Sequence, residues 1–408
     1  MVNPSMLNFA KVAIRKGVNI QKGQELIIFA SLDQPEFIEL LVKEAYVAGA
    51  KKVSVEWSYL PVSRLHSEYQ SEETLTTFAA WQLQKYQYNV DHLPAQLHVR
   101  SDDPDGMKGV DQKKMTAVTK ITTPVIMKYR EQMDNRFQWS IIALPGKKWA
   151  KKVFPKLSEE KALAAMWKAI LKATRVDGKD PIKEWDEHNA FLQDRSKKLD
   201  ALNIDYLHYT SQNGTDFKVW MIPDARWLGG GATTLSKVFY NPNMPTEEVF
   251  IPPWAGKAEG LVVATKPLSY RGELIEDFSV TFKDGKVVKV KAKKNQKLLE
   301  QMIAMDEGAS KIGEIALVPF ASPIQQSGIL YYNTLFDENA SCHLALGRAY
   351  TDSIRNFNQY SKEELVKKGC NVSMIHVDFM MGSKDLSIDA FTRDGKKVAI
   401  FKKGNWAF

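Results

Sequence analysis

The sequence predicts an α/β N-terminal domain with a parallel sheet, followed by a mixed, mostly antiparallel α+β C-terminal domain that carries the candidate catalytic residues. Apolar runs alternate with helical periodicity in the first half, whereas strand-like runs and turns dominate the second half. The pattern of apolar runs and turns changes near residue 200, so we expect domains at 1–202 and 203–408. With 408 residues, the chain is long enough for each domain to have its own core.

A strand–helix–strand unit opens the N-terminal half. Glu25–Ala30 is a short apolar run, Pro35 begins a segment of helical periodicity that ends at Gly49, and Lys52–Trp57 is the next strand. A crossover helix joins parallel strands, which predicts a parallel sheet with helices on its faces. Further elements are expected at Ser140–Pro145 (strand), 159–174 (helix capped by Ser158) and 181–202 (helix).

Hairpin signals characterise the C-terminal half. Asp284-Gly285 and Asp394-Gly395 each separate two strand-like runs, and Asp-Gly is a preferred hairpin turn. We expect further strands at Glu248–Pro253 and Gly260–Ala264, and helices around 295–306 and 338–350.

Composition indicates a soluble globular protein of the cytoplasm. Apolar residues make up 44% of the chain and charged residues 25%. Two cysteines suit a reducing compartment, and neither a membrane-length apolar run nor a signal-like start is visible. We therefore expect a cytoplasmic protein without a membrane partner.

The net charge of +8 allows an anionic partner. Lysines and aromatic residues interleave in Gly146–Lys156, and a second lysine run covers Lys289–Lys294. No nucleic-acid motif accompanies them, and a solvated basic surface is the simpler interpretation. We expect no stable nucleic acid and keep a non-enzymatic, basic nucleic-acid-binding protein as an alternative.

A candidate metal site begins in the strand-like segment Asn371–Met380. With a period of two, His376 and Asp378 share one face of the strand, and Val377 and Phe379 share the other. An imidazole and a carboxylate about 7 Å apart on one strand face can bind divalent cations. The alternative for Asp378 is an ion pair with an arginine, because a buried carboxylate needs compensation.

A second candidate segment surrounds His343, for which the sequence predicts a helix. Glu338 lies near the expected helix start, and Tyr350 lies two helical turns after His343, on the same face. Helical side chains lean toward the N-terminus, so the Tyr350 hydroxyl is expected to reach back toward His343. A histidine satisfied within the core is the alternative.

Two more carboxylates, Glu248 and Glu314, interrupt apolar runs. Each alone is compatible with a solvated strand end. Together with Glu338 and Asp378 they supply four negative charges, which matches two divalent cations with His343 and His376 as neutral ligands.

These motifs resemble peptidase family M29, the thermophilic metallo-aminopeptidases of the T and S types. The resemblance is dense from about 240 to 390 and continues more loosely through the N-terminal half. The segments that carry it are Asn243–Phe250, Thr265–Tyr270, Glu314–Pro319, Tyr332–Gly347 and His376–Met380.

The resemblance implies a cytoplasmic metallo-aminopeptidase (a hydrolase and metalloprotease) that releases N-terminal residues from peptides with broad specificity. It implies a homodimer with two divalent metal ions, whose identity as zinc, cobalt or manganese stays open. The family's metal ligands correspond to Glu248, Glu314, His343, His376 and Asp378. Glu338 corresponds to a further acidic position near the metals, and Tyr350 to the catalytic tyrosine. Apart from the resemblance, Glu314 and Glu338 are both candidates for the general base that takes a proton from the attacking water.

One segment departs from the family pattern: Ile251-Pro252-Pro253-Trp254 stands where a Thr-Ala-Pro-like run is expected. None of these residues is an expected ligand. Because a two-metal cluster also polarises phosphoryl oxygens, another two-metal hydrolase such as a phosphoesterase is the nearer alternative.

Overall fold

The computed structural model describes residues 3–408, which form two compact units. The first unit runs to His188 and includes Gly231–Pro245, and the second comprises Asn189–Gly230 and Thr246–Phe408. The break between residues 188 and 189 falls inside a long helix. The domain ranges 1–202 and 203–408 stay a prediction, because the compactness of a unit does not test independent folding.

A four-stranded parallel sheet forms the centre of the first unit. Its order is β2-β1-β3-β4, with Leu26 and Ile28 of the central strand buried. This confirms the predicted parallel α/β architecture. The strands are β1 (Glu25–Ser31), β2 (Lys52–Ser58), β3 (Ala95–Arg100) and β4 (Trp139–Ala143).

Helices connect these strands. Ser158 accepts a hydrogen bond from the Lys161 amide, as expected for an N-cap. The sequence did not reveal the helices between β2 and β4, because few of their residues face a core; in the longest of them, only Val118 and Met133 are buried. The helices are α1 (Pro4–Val12), α2 (Pro35–Val47), α3 (Leu60–Tyr69), α4 (Glu72–Thr76), α5 (Ala80–His92), α6 (Gln112–Met133), α7 (Lys147–Val153), α8 (Glu159–Ala173) and α9 (Pro181–Ala201).

The remaining strands follow helix α9. Those of the second unit are β5 (Ile204–Thr210), β6 (Asp216–Met221), β7 (Leu228–Gly229), β10 (Val249–Ile251), β11 (Pro253–Val263), β12 (Leu268–Tyr270), β13 (Glu273–Lys283), β14 (Lys286–Lys294), β15 (Ile312–Leu317), β16 (His343–Gly347), β17 (His376–Met380), β18 (Ser387–Thr392), β19 (Lys397–Lys402) and β20 (Asn405–Trp406). The short pair β8 (Ala232–Thr233) and β9 (Phe239–Tyr240) belongs to the first unit.

The larger sheet of the second unit has nine strands in the order β12-β13-β11-β6-β5-β18-β19-β20, with β14 paired to β13. Every pairing is antiparallel, and both predicted hairpins, β13–β14 and β18–β19, are present. Strand β14 carries the lysine run Lys289–Lys294 at a sheet edge. Lysines at an edge strand oppose pairing with other chains.

A five-stranded antiparallel sheet, β17-β16-β15-β10-β7, positions the candidate site. The predicted helix 338–350 is wrong, because His343–Gly347 is strand β16 of this sheet. Both faces of β16 are buried, so the two-residue alternation of a half-solvated strand is missing. The helices of this unit are α10 (Gln296–Ile303), α11 (Pro323–Gln326), α12 (Thr334–Asp337) and α13 (Lys362–Lys367).

Within residues 3–408, no helix has the length and apolar character needed to cross a membrane.

Candidate metal centre

The register of the five-stranded sheet aligns Glu314, Ala345 and Asp378 in one row. Ala345 on the middle strand pairs with Glu314 on one side and with Asp378 on the other. Residues directly opposite each other in an antiparallel ladder point to the same face. Both carboxylates therefore project from one face of the sheet, with only a methyl group between them.

The histidines occupy the same face. His376 precedes Asp378 by two residues, and His343 precedes Ala345 by two, so each shares the face of its neighbour. Glu248 lies immediately before strand β10, two residues before Phe250. The sheet thus collects candidate ligands that are far apart in sequence.

Apolar side chains cover the opposite face. Ile315, Leu317, Leu344, Leu346 and Phe379 belong to the hydrophobic core of the second unit. This confirms the predicted opposite orientations of His376–Asp378 and of Phe379. Burial of that face fixes the strand register, because a slip of one residue would turn the ligands into the core.

Small residues make room for the site, a role that periodicity alone does not predict. Ala316, Ala345 and Gly347 occupy the ligand face, and a bulge at Gly313 interrupts the ladder just before Glu314. A Cβ at position 313 would collide with the carbonyl oxygens of Gly347 and Arg348. The alternation of large and small residues in Leu344–Gly347 was the available signal.

His343 forms the first group with two glutamates. Its Nε2 lies 3.0 Å from Glu248 Oε2 and 3.8 Å from Glu314 Oε1. Its Nδ1 donates to the Ser341 carbonyl at 3.2 Å. In a neutral ring, Nε2 then carries a lone pair and no hydrogen. A lone pair facing carboxylate oxygens is repulsive unless a proton or a metal ion lies between them.

The second group has the same design. His376 Nε2 lies 3.8 Å from Glu314 Oε2 and 3.5 Å from Asp378 Oδ1, while its Nδ1 donates to the Arg348 carbonyl at 2.7 Å. Backbone carbonyls thus fix the tautomer and the orientation of both rings. Such partners are typical of metal-binding histidines.

Glu314 belongs to both groups. In the groups Glu248–Glu314–His343 and Glu314–His376–Asp378, the ligand atoms lie within 4.8 Å of one another. While both imidazole rings are neutral, the buried oxygens Glu248 Oε2 and Asp378 Oδ1 accept no hydrogen bond from residues 3–408. Buried carboxylate oxygens without donors, beside imidazole Nε2 atoms, fit divalent cations better than a closed hydrogen-bond network.

The pKa shifts have the same electrostatic origin. Burial lowers the pKa of His376, but the Asp378 and Glu314 carboxylates outweigh this effect and raise the pKa to about 9. For His343, burial is likewise outweighed by hydrogen bonds to Glu248 and Glu314, so that its pKa rises well above the ordinary value. Protonated imidazoles and divalent cations are alternative ways to compensate these carboxylates.

Glu338 and Tyr350 lie beside the two groups. Burial, followed by the charges of Asp378 and Glu248, raises the pKa of Glu338 well above its ordinary value. The Tyr350 ring centre lies 4.8 Å from that of His376. The predicted helical route from Tyr350 to His343 is wrong, because both residues lie outside helices. Tyr350 instead follows β16 and meets the site through its contact with His376.

The alternatives for Glu248, Glu314 and Asp378 are not realised. Glu248 and Glu314 are buried rather than solvated strand ends, with 6% and 5% of their surfaces exposed. Asp378 is paired with His376. Burial raises the pKa of Asp378, but the charge of the His376 ring and its hydrogen bond outweigh burial, so that this pKa is lowered.

The chain is similar to known proteins over nearly its whole length. The family described as thermophilic metalloprotease (M29) matches residues 2–406. Aminopeptidase AmpS of Bacillus subtilis strain 168 is 42% identical over 401 residues, which cover 98% of each chain. Aminopeptidase 2 of Geobacillus stearothermophilus is 41% identical over 401 residues, 98% of this chain and 97% of the relative.

A solved structure is similar over the whole chain. Wild-type AmpT from Thermus thermophilus matches with a TM-score of 0.90 and 34% identity, covering 99% of both chains. The family match, the sequence identity and the fold therefore lead to one conclusion: this chain belongs to the thermophilic metalloprotease family M29.

Proposed function

We propose that this protein is a metal-dependent aminopeptidase that releases N-terminal residues from peptides with broad specificity, using two divalent metal ions. The observation that carries the proposal is the Glu314 carboxylate, which presents one oxygen to each of two histidines. A carboxylate shared between two ligand groups suits a dinuclear centre, because it brings two cations close together. Relatives named aminopeptidases span nearly the whole chain.

The ligand set follows from the two groups. Glu248 and His343 would hold one cation, His376 and Asp378 the other, and Glu314 would bridge them. Divalent cations in such a site supply Lewis acidity, which lowers the pKa of bound water and polarises a carbonyl group. Carboxylate and imidazole ligands suit zinc, cobalt and manganese alike, so the ligand set leaves all three open.

Glu338 is our candidate for the general base. Both oxygens of Glu314 already face histidines, whereas Glu338 lies outside the two groups and is buried beside them. A carboxylate whose pKa is raised by burial is suited to accept a proton from attacking water and to return it to the leaving amine.

Tyr350 is our candidate for the oxyanion donor. Its ring packs against His376, and burial, together with the charges of Glu314 and Asp378, raises its pKa. A phenol that stays protonated keeps its O–H available as a donor. Such a donor stabilises the negative charge that develops on the carbonyl oxygen of the substrate.

The family resemblance supports three further parts of the proposal: a cytoplasmic location, a homodimeric state, and peptides as the substrates. Oligomeric state is measured directly by light scattering of the purified protein, and a monomer would contradict that part.

The nucleic-acid alternative is not favoured. Trp149 in the basic run is fully buried and offers no ring for base stacking. Lysines of that run lie near carboxylates: Lys148 is 3.7 Å from Asp103 and Lys152 is 2.7 Å from Asp105. These partners reduce the charge that phosphates would meet.

The decisive experiment is leucine release from a leucyl peptide by purified protein, after chelation and after return of Zn²⁺, Co²⁺ or Mn²⁺. We expect activity to be lost and then restored, with the N-acetylated peptide left intact. Hydrolysis of p-nitrophenyl phosphate without peptide cleavage would instead support the phosphoesterase alternative.

A further inference from the structure

We infer that Asn339 is a positioning residue that holds Glu248 and Glu338 in register across the metal centre. The inference rests on the proposed metal site. Asn339 belongs to neither ligand group. Its side chain binds the backbone amide of Glu247, which lies 92 residues away in the sequence.

Asn339 has no exposed surface, and its side-chain amide both accepts and donates hydrogen bonds. Oδ1 accepts a hydrogen bond from the Glu247 backbone amide at 2.6 Å, beside Glu248. Nδ2 donates to the Leu335 carbonyl at 2.9 Å and to Glu338 Oε1 at 3.4 Å. Because a backbone N–H needs an acceptor, the Glu247 amide fixes which way the Asn339 amide faces.

The link matters because Glu248 has little local support. It precedes strand β10, so the ladder hydrogen bonds that begin at Val249 do not hold it. While His343 is neutral, Glu248 Oε2 accepts no hydrogen bond from residues 3–408. The Glu247–Asn339 bond therefore ties the backbone at this ligand to the 3₁₀ turn Glu338–Ala340.

A matched control lies in the same turn. Ser322 is also buried and donates its hydroxyl to the Asn339 carbonyl at 2.6 Å. Ser322→Ala removes this buried hydrogen bond, and the bond that the hydroxyl accepts from the Ile324 amide, without touching the bonds of the Asn339 side chain. A purely structural role for Asn339 would make the two positions equivalent.

The test uses full-length protein freed of metal by chelation and titrated with Co²⁺. Calorimetry gives the affinity, and visible absorption reports the coordination geometry. We expect Asn339→Leu to change the absorption band and to weaken Co²⁺ binding about 10- to 100-fold, the range found when a group that orients a metal ligand is lost. Ser322→Ala should lower the melting temperature but keep both properties.

Each result has a defined meaning. Unchanged affinity and absorption in folded Asn339→Leu would overturn the inference. If that variant does not fold, Asn339→Asp takes its place, since it keeps the acceptor for the Glu247 amide but places a like charge beside Glu338. Unchanged Co²⁺ affinity and absorption in Asn339→Asp would then overturn the inference. Failure of the unaltered protein to bind Co²⁺ would instead contradict the proposed metal centre.

Discussion

Glu314 and Asp378 face each other across the single methyl group of Ala345. Directly opposed strand residues are separated by about 5 Å, so the two backbones are about 10 Å apart. Even so, ligand oxygens of both residues lie within 4.8 Å of each other and of His376 Nε2. The carboxylates therefore converge above Ala345, in space that only a small residue leaves free.

Ala345→Val should fill this space. The added methyl groups would separate Glu314 from Asp378, and we expect Co²⁺ affinity to fall at least tenfold. Overpacking of this kind typically costs about 1–3 kcal/mol of stability. Leu346→Val is the control, because Leu346 faces the core and its shortening should reduce the melting temperature without affecting metal affinity. Equal Co²⁺ affinities in the two variants would contradict this account.

Asp378→Asn should reduce the metal content of the protein. The change removes one negative charge and replaces an acceptor oxygen that, while His376 is neutral, no donor in residues 3–408 satisfies. Elemental analysis of the purified variant measures occupancy. Asp389→Asn is the control, since this carboxylate pairs with Lys397 on strand β19, at 2.9 Å. Full occupancy with two metals per chain in Asp378→Asn would remove this residue from the ligand set.

Metal removal should destabilise the fold. Glu248, Glu314 and Asp378 are buried close together, and without cations they repel one another or must take up protons. A ligand at a hundredfold excess over its Kd stabilises the native state by about 2.7 kcal/mol. Thermal unfolding with chelator and with added Zn²⁺ measures the difference. Asp378→Asn should show a smaller shift than the unaltered protein.

Tyr350→Phe should lower kcat while leaving the metals in place. Loss of one oxyanion donor typically costs about 2.7–4 kcal/mol of transition-state stabilisation, or roughly a hundred- to a thousandfold in rate. Tyr360→Phe is the control, because that ring lies 4.3 Å from the Lys368 ammonium and not against His376. The measurement is steady-state hydrolysis of a leucyl peptide at equal metal content. An unchanged kcat would exclude Tyr350 from catalysis.

How far sequence alone could predict the site depended on the burial of each strand. The pattern around His376 and Asp378 was decisive, because alternate residues differ in polarity and one face joins the core. The pattern around His343 misled, because β16 is buried on both faces and its small residues have helical spacing as well. Periodicity cannot separate these cases, whereas the motif resemblance proposes the same site residues regardless of their secondary structure.

The contacts that complete the site were beyond sequence patterns. The Gly313 bulge and the Asn339 amide acquire meaning only through partners that are distant in sequence, namely Gly347 and Glu247. The helices between β2 and β4 were missed for a related reason. With few buried positions they lack an apolar stripe, which is the main signal of a helix in a sequence.

His98, in the first unit, makes the free energy of unfolding depend on pH independently of the metal site. Its ring stacks on Phe29, with centroids 4.7 Å apart, and burial, followed by the charges of Arg100 and Arg130, lowers its pKa to about 4. Between pH 6.5 and 4 the unfolded chain binds a proton that the folded protein does not. His98 therefore contributes stability above pH 6.5, and this contribution is lost as the pH falls toward 4.

His98→Gln should flatten this part of the pH profile. The full effect of the shift is about 3 kcal/mol, since one pKa unit corresponds to about 1.4 kcal/mol. Urea unfolding of chelated protein between pH 4 and 7 gives the free energy of unfolding of the variant and of the unaltered protein. The difference between them measures the effect of His98, because the pH dependence of the metal site is the same in both. His66→Gln is the control, because that histidine is exposed. If His98→Gln and His66→Gln show the same slope, the buried ring is not the cause of the acid instability.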